Sequence, residues 1–195
     1  MSSFLETIKA VDGEIYNLEY HQKRYEKVLS SINQKKHQNL QDFLSPPYDG
    51  IYRCRLVYNE NNIDVEYIKY TKRNIETLKL VYDNYIEYSK KSTSREKLDD
   101  LFEKRDNCSD VLIVKNELLT DTTIANIALY NGKEWLTPKT PLLNGTTRQR
   151  LLDKKKIVEA DINVRDIYEF EKIALLNAMI DFDIIRSNNL KDIIC

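Results

Sequence analysis

Gly145-Thr146-Thr147-Arg148 has the types and order of an anion-binding turn. A glycine lets the backbone come close to an anion, and the amides of two threonines opening a helix lack intrahelical acceptors, so they can donate to phosphate oxygens. The same residues also fit an ordinary threonine-capped helix. Upstream, Asp121 sets a carboxylate at a strand end, ahead of the strand-like apolar run 124–130. Arg53, Arg55 and Val57 share one face of an alternating segment whose other face carries Tyr52, Cys54, Leu56 and Tyr58. Two guanidinium groups on one face can hold a substrate carboxylate. They can equally form a solvent-facing row, neutralised across the sheet by Asp64 or Glu66. His21 and Arg24 are three residues apart and neighbour each other on a helix, where Arg24 by itself reads as a surface arginine.

Composition narrows what these groups can serve. The net charge of −1 offers no basic excess to release counterions, which argues against nucleic acid or an anionic membrane as the main partner. Lys154-Lys155-Lys156 is the basic run, and three lysines closing a helix read as a solvated face. There is no apolar stretch of about 18 residues and no signal-peptide core after Met1. The cysteines, Cys54, Cys108 and Cys195, are odd in number and widely spaced, so they read as free thiols in a reducing cytosol. Two histidines are too few for a histidine-built metal centre. With 195 residues, 42% of them hydrophobic, the chain is expected to be a globular cytoplasmic protein with one sizeable core or two small ones.

The elements that must position these residues alternate between the two periods. Residues 3–9 read as a strand, Asp12-Gly13 as a hairpin turn, and residues 18–32 as a helix with Asn17 as its cap. After a polar stretch and the breaker at residues 45–50, residues 51–59 and 63–70 form a hairpin around Asn61-Asn62. Strands are expected at 77–82, 109–115, 157–159 and 172–179, with helices at 94–105 and 147–154 and a short one at 164–169. Mixed strands, helices and several hairpins suit an α+β fold better than a doubly wound sheet.

The order of these pieces resembles the class IV pyridoxal-phosphate enzymes, which include branched-chain and D-amino-acid aminotransferases and 4-amino-4-deoxychorismate lyase. Four blocks carry the resemblance. Residues 4–24 hold Phe-x-Glu-Thr-Ile, a DG hairpin and Leu-Glu-x-His-x-x-Arg. Lys91 and Arg95 match the Lys-x-x-x-Arg of the lyase branch, and Lys91 stands 30 residues before Asp121, near the family interval. Residues 118–148 hold an acid, x-x-x-Ala-Asn, an Asn-Gly hairpin, Leu-Thr-Pro and Leu-x-Gly-x-x-Arg. Residues 172–179 end an apolar strand in Asn177-Ala178.

The resemblance implies pyridoxal 5'-phosphate as cofactor and assigns roles. Lys91 would bond the cofactor carbonyl and shuttle protons, with the start of the following helix lowering its amine pKa and Lys90 as the adjacent rival. Arg24, Thr146 and Thr147 would hold the phosphate, while His21 would position or pack. Asp121 would face the pyridine nitrogen, one methylene shorter than the usual glutamate. Thr122, Thr123 and Asn126 would support it or be ordinary strand residues. Asn177 and Ala178 would close the pocket near the phosphate, or merely end a core strand. Arg53 and Arg55 remain candidates for a substrate carboxylate.

The implied fold is that of the D-amino-acid aminotransferases, with two small domains at 1–88 and 89–195, the cofactor between them, and a homodimeric assembly. Family members begin with an extra strand and loop before the first block, whereas Met1 here stands three residues before Phe4, and the middle, 42–88, is short. Both segments shape the substrate side in the family, so the cofactor residues carry over better. This compact form resembles the lyase domain found attached to aminodeoxychorismate synthase, a candidate partner. The leading expectation is therefore a lyase converting 4-amino-4-deoxychorismate to 4-aminobenzoate and pyruvate for folate synthesis. The alternatives are an aminotransferase on a branched-chain or D-amino acid, or a non-catalytic relative that kept the fold.

Overall fold

The computed structural model describes residues 3–187 and 189–195. The chain divides into two compact units, Met1–Lys72 with Lys90–Ser94, and Arg73–Ser89 with Arg95–Cys195. In the first unit, β1 (Phe4–Val11) turns into β2 (Glu14–Ile15) and the chain continues as α1 (Leu18–Ser30). Asp12 and Gly13 have φ of 47° and 86°, the left-handed pair that a two-residue hairpin turn requires. A short 3-10 turn at Leu40–Phe43 leads to the hairpin of β3 (Ile51–Tyr58) and β4 (Ile63–Lys69), giving an antiparallel sheet in the order β2-β1-β3-β4. Burial alternates strictly along β1, with Phe4, Glu6, Ile8 and Ala10 inward. Tyr25, Val28 and Leu29 of α1 cluster there with Cys54, Leu56 and Tyr58 of β3. Asn17 precedes α1 in the left-handed conformation, φ 54°, and makes no side-chain cap. A capping side chain needs extended backbone at that position, so the expected cap is absent.

Lys90–Ser94 belongs to this first unit. The Leu5 N–H donates to the Lys91 carbonyl at 2.9 Å, the Thr93 N–H donates to the Ser3 carbonyl at 3.0 Å, and Phe4 bridges Ser92. The units are thus discontinuous in sequence.

The second unit contains β5 (Leu78–Tyr82), α2 (Glu96–Glu103), β6 (Asp110–Lys115), β7 (Leu118–Thr122), β8 (Asn126–Tyr130), β9 (Trp135–Pro138), α3 (Thr146–Asp153), β10 (Val158–Ala160), β11 (Lys172–Asn177) and β12 (Asp181–Ile184). The strands run β10-β9-β8-β7-β6-β5, with β11 also pairing β8 and β12 outside it. The near-continuous apolar runs in β6 and β11 reflect burial on both faces. Leu112 and Val114 of β6, with Ile173 and Leu175 of β11, feed one cluster. Val111 and Ile113 pack with Leu98 and Leu101 of α2, while Ala174 and Leu176 pack with Leu151 of α3.

The α+β class is as expected from the sequence; the cysteines are not. Cys108 and Cys195 form a disulfide, and only Cys54 is a free thiol, buried in the first unit. Eighty-seven residues separate the bonded pair, but the C-terminal tail docks on β5, where the Cys195 N–H donates to the Leu78 carbonyl at 2.9 Å. Sequence spacing carries no trace of that docking. No helix among the described residues is long and apolar enough to cross a membrane.

Candidate active site

Asp121, the next-to-last residue of β7, is 4% exposed. Its Oδ1 accepts from Asn126 Nδ2 at 2.8 Å and its Oδ2 from the Leu143 N–H at 2.9 Å. Asn126 lies directly opposite Asp121 in the β7–β8 pairing, and its Nδ2 also donates to the Leu143 carbonyl at 2.8 Å. One amide therefore ties the acid to the segment that enters α3. Burial pushes the Asp121 carboxyl up to about 6, against the opposing pull of these hydrogen bonds and of Arg148. A buried acid poised there ionises readily when a cationic N–H is set beside it.

The start of α3 lies at the other end of this network. Gly145 precedes it in extended conformation, no side chain caps it, and Thr146 and Thr147 are buried. First-turn amides at a buried, uncapped helix start are arranged for an anion. The glycine is required for a reason the sequence did not reveal. A Cβ at position 145 would stand 2.0 Å from Asn126 Oδ1, so the seat of a side chain is already taken by that amide. Arg148 is 2% exposed, and its Nη2 donates to the Pro138 carbonyl at 2.7 Å and Glu159 Oε1 at 2.6 Å, which fastens α3 to β9 and β10.

Asn177 closes the β11–β12 turn, its Oδ1 accepting from the Met179 and Ile180 N–H groups at 3.0 and 3.1 Å. Its Nδ2 donates to the Ile124 carbonyl at 3.3 Å, which brings it to the turn following Asp121, with Ala178 half-buried beside it. Arg95 reaches the same turn through Nη2 to the Thr123 carbonyl at 2.9 Å, and the Thr123 hydroxyl donates to the buried Asp110 at 2.8 Å. The second unit thus gathers Asp121, Thr146, Thr147 and Asn177 through Asn126 and the turn after Asp121.

The first unit gathers a different set. Glu6 is fully buried on the inner face of β1. It accepts from His21 Nδ1 at 2.6 Å, Arg24 Nε at 2.8 Å and Arg24 Nη2 at 2.5 Å. Burial would raise its carboxyl, but Arg24 and His21 together hold it down at about 2. Since Glu6 is ionised, His21 Nδ1 is the donor in their contact. Burial lowers His21 first; the Glu6 contact opposes this, and the charges of Arg24 and Lys91 add to the lowering. Lys91 therefore belongs to the surroundings of this cluster, its backbone held against β1. Glu6 is the residue that sequence reasoning missed. Its signal was present, since it occupies an inward position in the alternation Phe4-Glu6-Ile8-Ala10. Arg53 is exposed and Arg55 half-buried; in register they face Lys9 and Thr7 on β1, and Arg55 faces Glu66 on β4.

The two buried acids predict opposite acid responses of the cofactor-free protein. Asp121 is raised from 3.8, so its contribution to stability is full below about 3.8 and is lost as pH rises through about 6. Glu6 is lowered from 4.5, so its contribution is present above 4.5 and is lost as pH falls towards 2. Urea unfolding across pH 4 to 6 should show a fall from Asp121 of up to about 3 kcal/mol, which Asp121→Asn removes.

Comparison with known proteins decides the family. The model of the amino-transferase class IV family matches residues 87–187. An uncharacterized protein of Haemophilus influenzae is 36% identical over 185 residues, spanning 92% of this chain and 98% of that one. The chain belongs to the class IV aminotransferase family. Among solved structures, a candidate 4-amino-4-deoxychorismate lyase from Haemophilus somnus 129PT superposes with a TM-score of 0.86 at 32% identity, covering 92% of this chain and 97% of that one. The pyridoxal-phosphate-bound form of a hypothetical aminotransferase from Mycobacterium tuberculosis has a TM-score of 0.79 at 16% identity, covering 95% and 80%, and shares the fold. The class IV chain is a pyridoxal-phosphate-dependent enzyme. Its residues fit that cofactor: a buried acid poised for a cationic ring nitrogen, and an uncapped, buried helix start for the phosphate.

Proposed function

We propose that this enzyme is a lyase converting 4-amino-4-deoxychorismate to 4-aminobenzoate and pyruvate. The observation that carries the reading is the likeness to the candidate lyase of Haemophilus somnus, at 32% identity along nearly the whole of both chains. When bound, pyridoxal phosphate supplies an electrophilic carbon for amines and an electron sink. Lys91 would hold the cofactor through Nζ and, with that amine free, would take the proton from the substrate as general base. Asp121 keeps the ring nitrogen protonated, and Asn126 and the Leu143 N–H hold the Asp121 carboxylate in place. Thr146, Thr147 and Arg24 bind the phosphate, with Asn177 and Ala178 bordering it, and Arg53 and Arg55 take a substrate carboxylate. The reading also gives a homodimer, a cytoplasmic setting and aminodeoxychorismate synthase as a partner.

Purified enzyme supplied with pyridoxal phosphate and 4-amino-4-deoxychorismate should release 4-aminobenzoate and pyruvate in equal amounts. If neither product forms, the lyase reading is wrong. A branched-chain or D-amino acid that converts the bound cofactor to pyridoxamine phosphate in a single turnover would identify an aminotransferase instead.

A further inference from the structure

In the inward row of β1, Glu6 is the only polar residue, between Phe4 and Ile8. A carboxylate in such a place must be compensated for lost hydration, and three N–H donors from α1 do so. A well-packed apolar residue would serve stability as well as a buried ion pair does, so stability does not account for the charge. Orientation does. Arg24 reaches Glu6 through Nε and Nη2, to a different oxygen with each, and two parallel bonds to one carboxylate fix the guanidinium plane. His21, one helical turn earlier, donates to the same Oε2 and steadies the carboxylate from its own side. An unheld arginine has many rotamers, and a ligand that selects one pays that ordering entropy on binding.

We propose that Glu6 is a positioning residue that presets Arg24 for the cofactor phosphate and thereby sets the preference for pyridoxal phosphate over pyridoxal. The inference rests on Arg24 being a phosphate ligand, as in the reading above. Pyridoxal carries the same ring and aldehyde without the phosphate, so the ratio of the two dissociation constants isolates the phosphate contribution. The full-length cofactor-free protein is titrated with each, following ring absorbance, for the wild type, Glu6→Gln, Glu6→Asp, Arg24→Gln and the Glu6→Gln/Arg24→Gln double variant.

Glu6→Gln is expected to weaken pyridoxal phosphate binding by about 10-fold, the scale of one charged hydrogen bond, and to leave pyridoxal binding unchanged. The double variant should bind pyridoxal phosphate no worse than Arg24→Gln alone, since Glu6 acts through Arg24. If Glu6→Gln does not fold, Glu6→Asp keeps the charge but is too short for both contacts, and carries the same test. Equal weakening of both ligands, or unchanged pyridoxal phosphate affinity, would overturn the proposal while Arg24→Gln still lowers the ratio. An Arg24→Gln ratio equal to wild type would instead remove Arg24 as a phosphate ligand, and the proposal with it.

Discussion

With Lys91 as the proposed nucleophile and general base, Lys91→Ala should lower product formation by about a thousandfold or more. Borohydride reduction of the wild type in the presence of cofactor should add the cofactor mass to the peptide containing Lys91, and the variant should show no addition. The adjacent Lys90 supplies the control. Its ammonium lies 5.9 Å from the centroid of the Phe4 ring, a contact that accounts for its position without chemistry. Lys91 has its carbonyl pinned by the Leu5 N–H and contributes its charge to the surroundings of His21. Lys90→Ala should therefore keep most of the activity. Labelled Lys90 with unlabelled Lys91 would reverse the assignment.

Gly145→Ala should damage the enzyme more than the loss of a glycine at an unstrained backbone normally would. Gly145 has φ −69° and ψ 144°, which alanine adopts freely. The obstacle is Asn126 Oδ1, 2.0 Å from the new methyl, with Asn126 Cγ at 3.1 Å. Asn126 is not free to yield, because its Nδ2 is bonded to both Asp121 and the Leu143 carbonyl. The variant should lose about 1–3 kcal/mol of stability by overpacking. It should also bind cofactor at least about 10-fold more weakly, as Asp121 loses a partner and the helix start shifts. Urea unfolding and a cofactor titration measure the two. Adding Asn126→Ala should relieve part of the stability loss, a non-additivity expected of two residues competing for one space; strict additivity would show that the clash is absorbed elsewhere.

These predictions draw on different amounts of sequence information. The strands and turns of the first unit were legible because their signals are local: alternation along β1, two left-handed positions at Asp12-Gly13, a hairpin at the Asn61-Asn62 loop between β3 and β4. The same holds for Asn131-Gly132 between β8 and β9, where Gly132 has φ 88°. The last strand, Asp181–Ile184, is four residues long and takes its pattern from its partner β11, so the sequence does not predict it. Asn17 has the residue type that favours capping but not the backbone conformation.

By itself the sequence determined the α+β class, the family, the cofactor and the candidates Lys91, Arg24, Asp121, Thr146 and Thr147, since these lie in short blocks whose order along the chain is itself the signal. Only the tertiary structure decided which groups these residues lean on. Glu6 meets Arg24 across 18 positions, Asp121 meets Leu143 across 22, and Cys108 meets Cys195 across 87. The physical reason is common to all three. A buried charge, an acid held by a backbone amide and a docked tail are satisfied by whichever element packs beside them, and neither periodicity nor turn chemistry reaches that far along the chain.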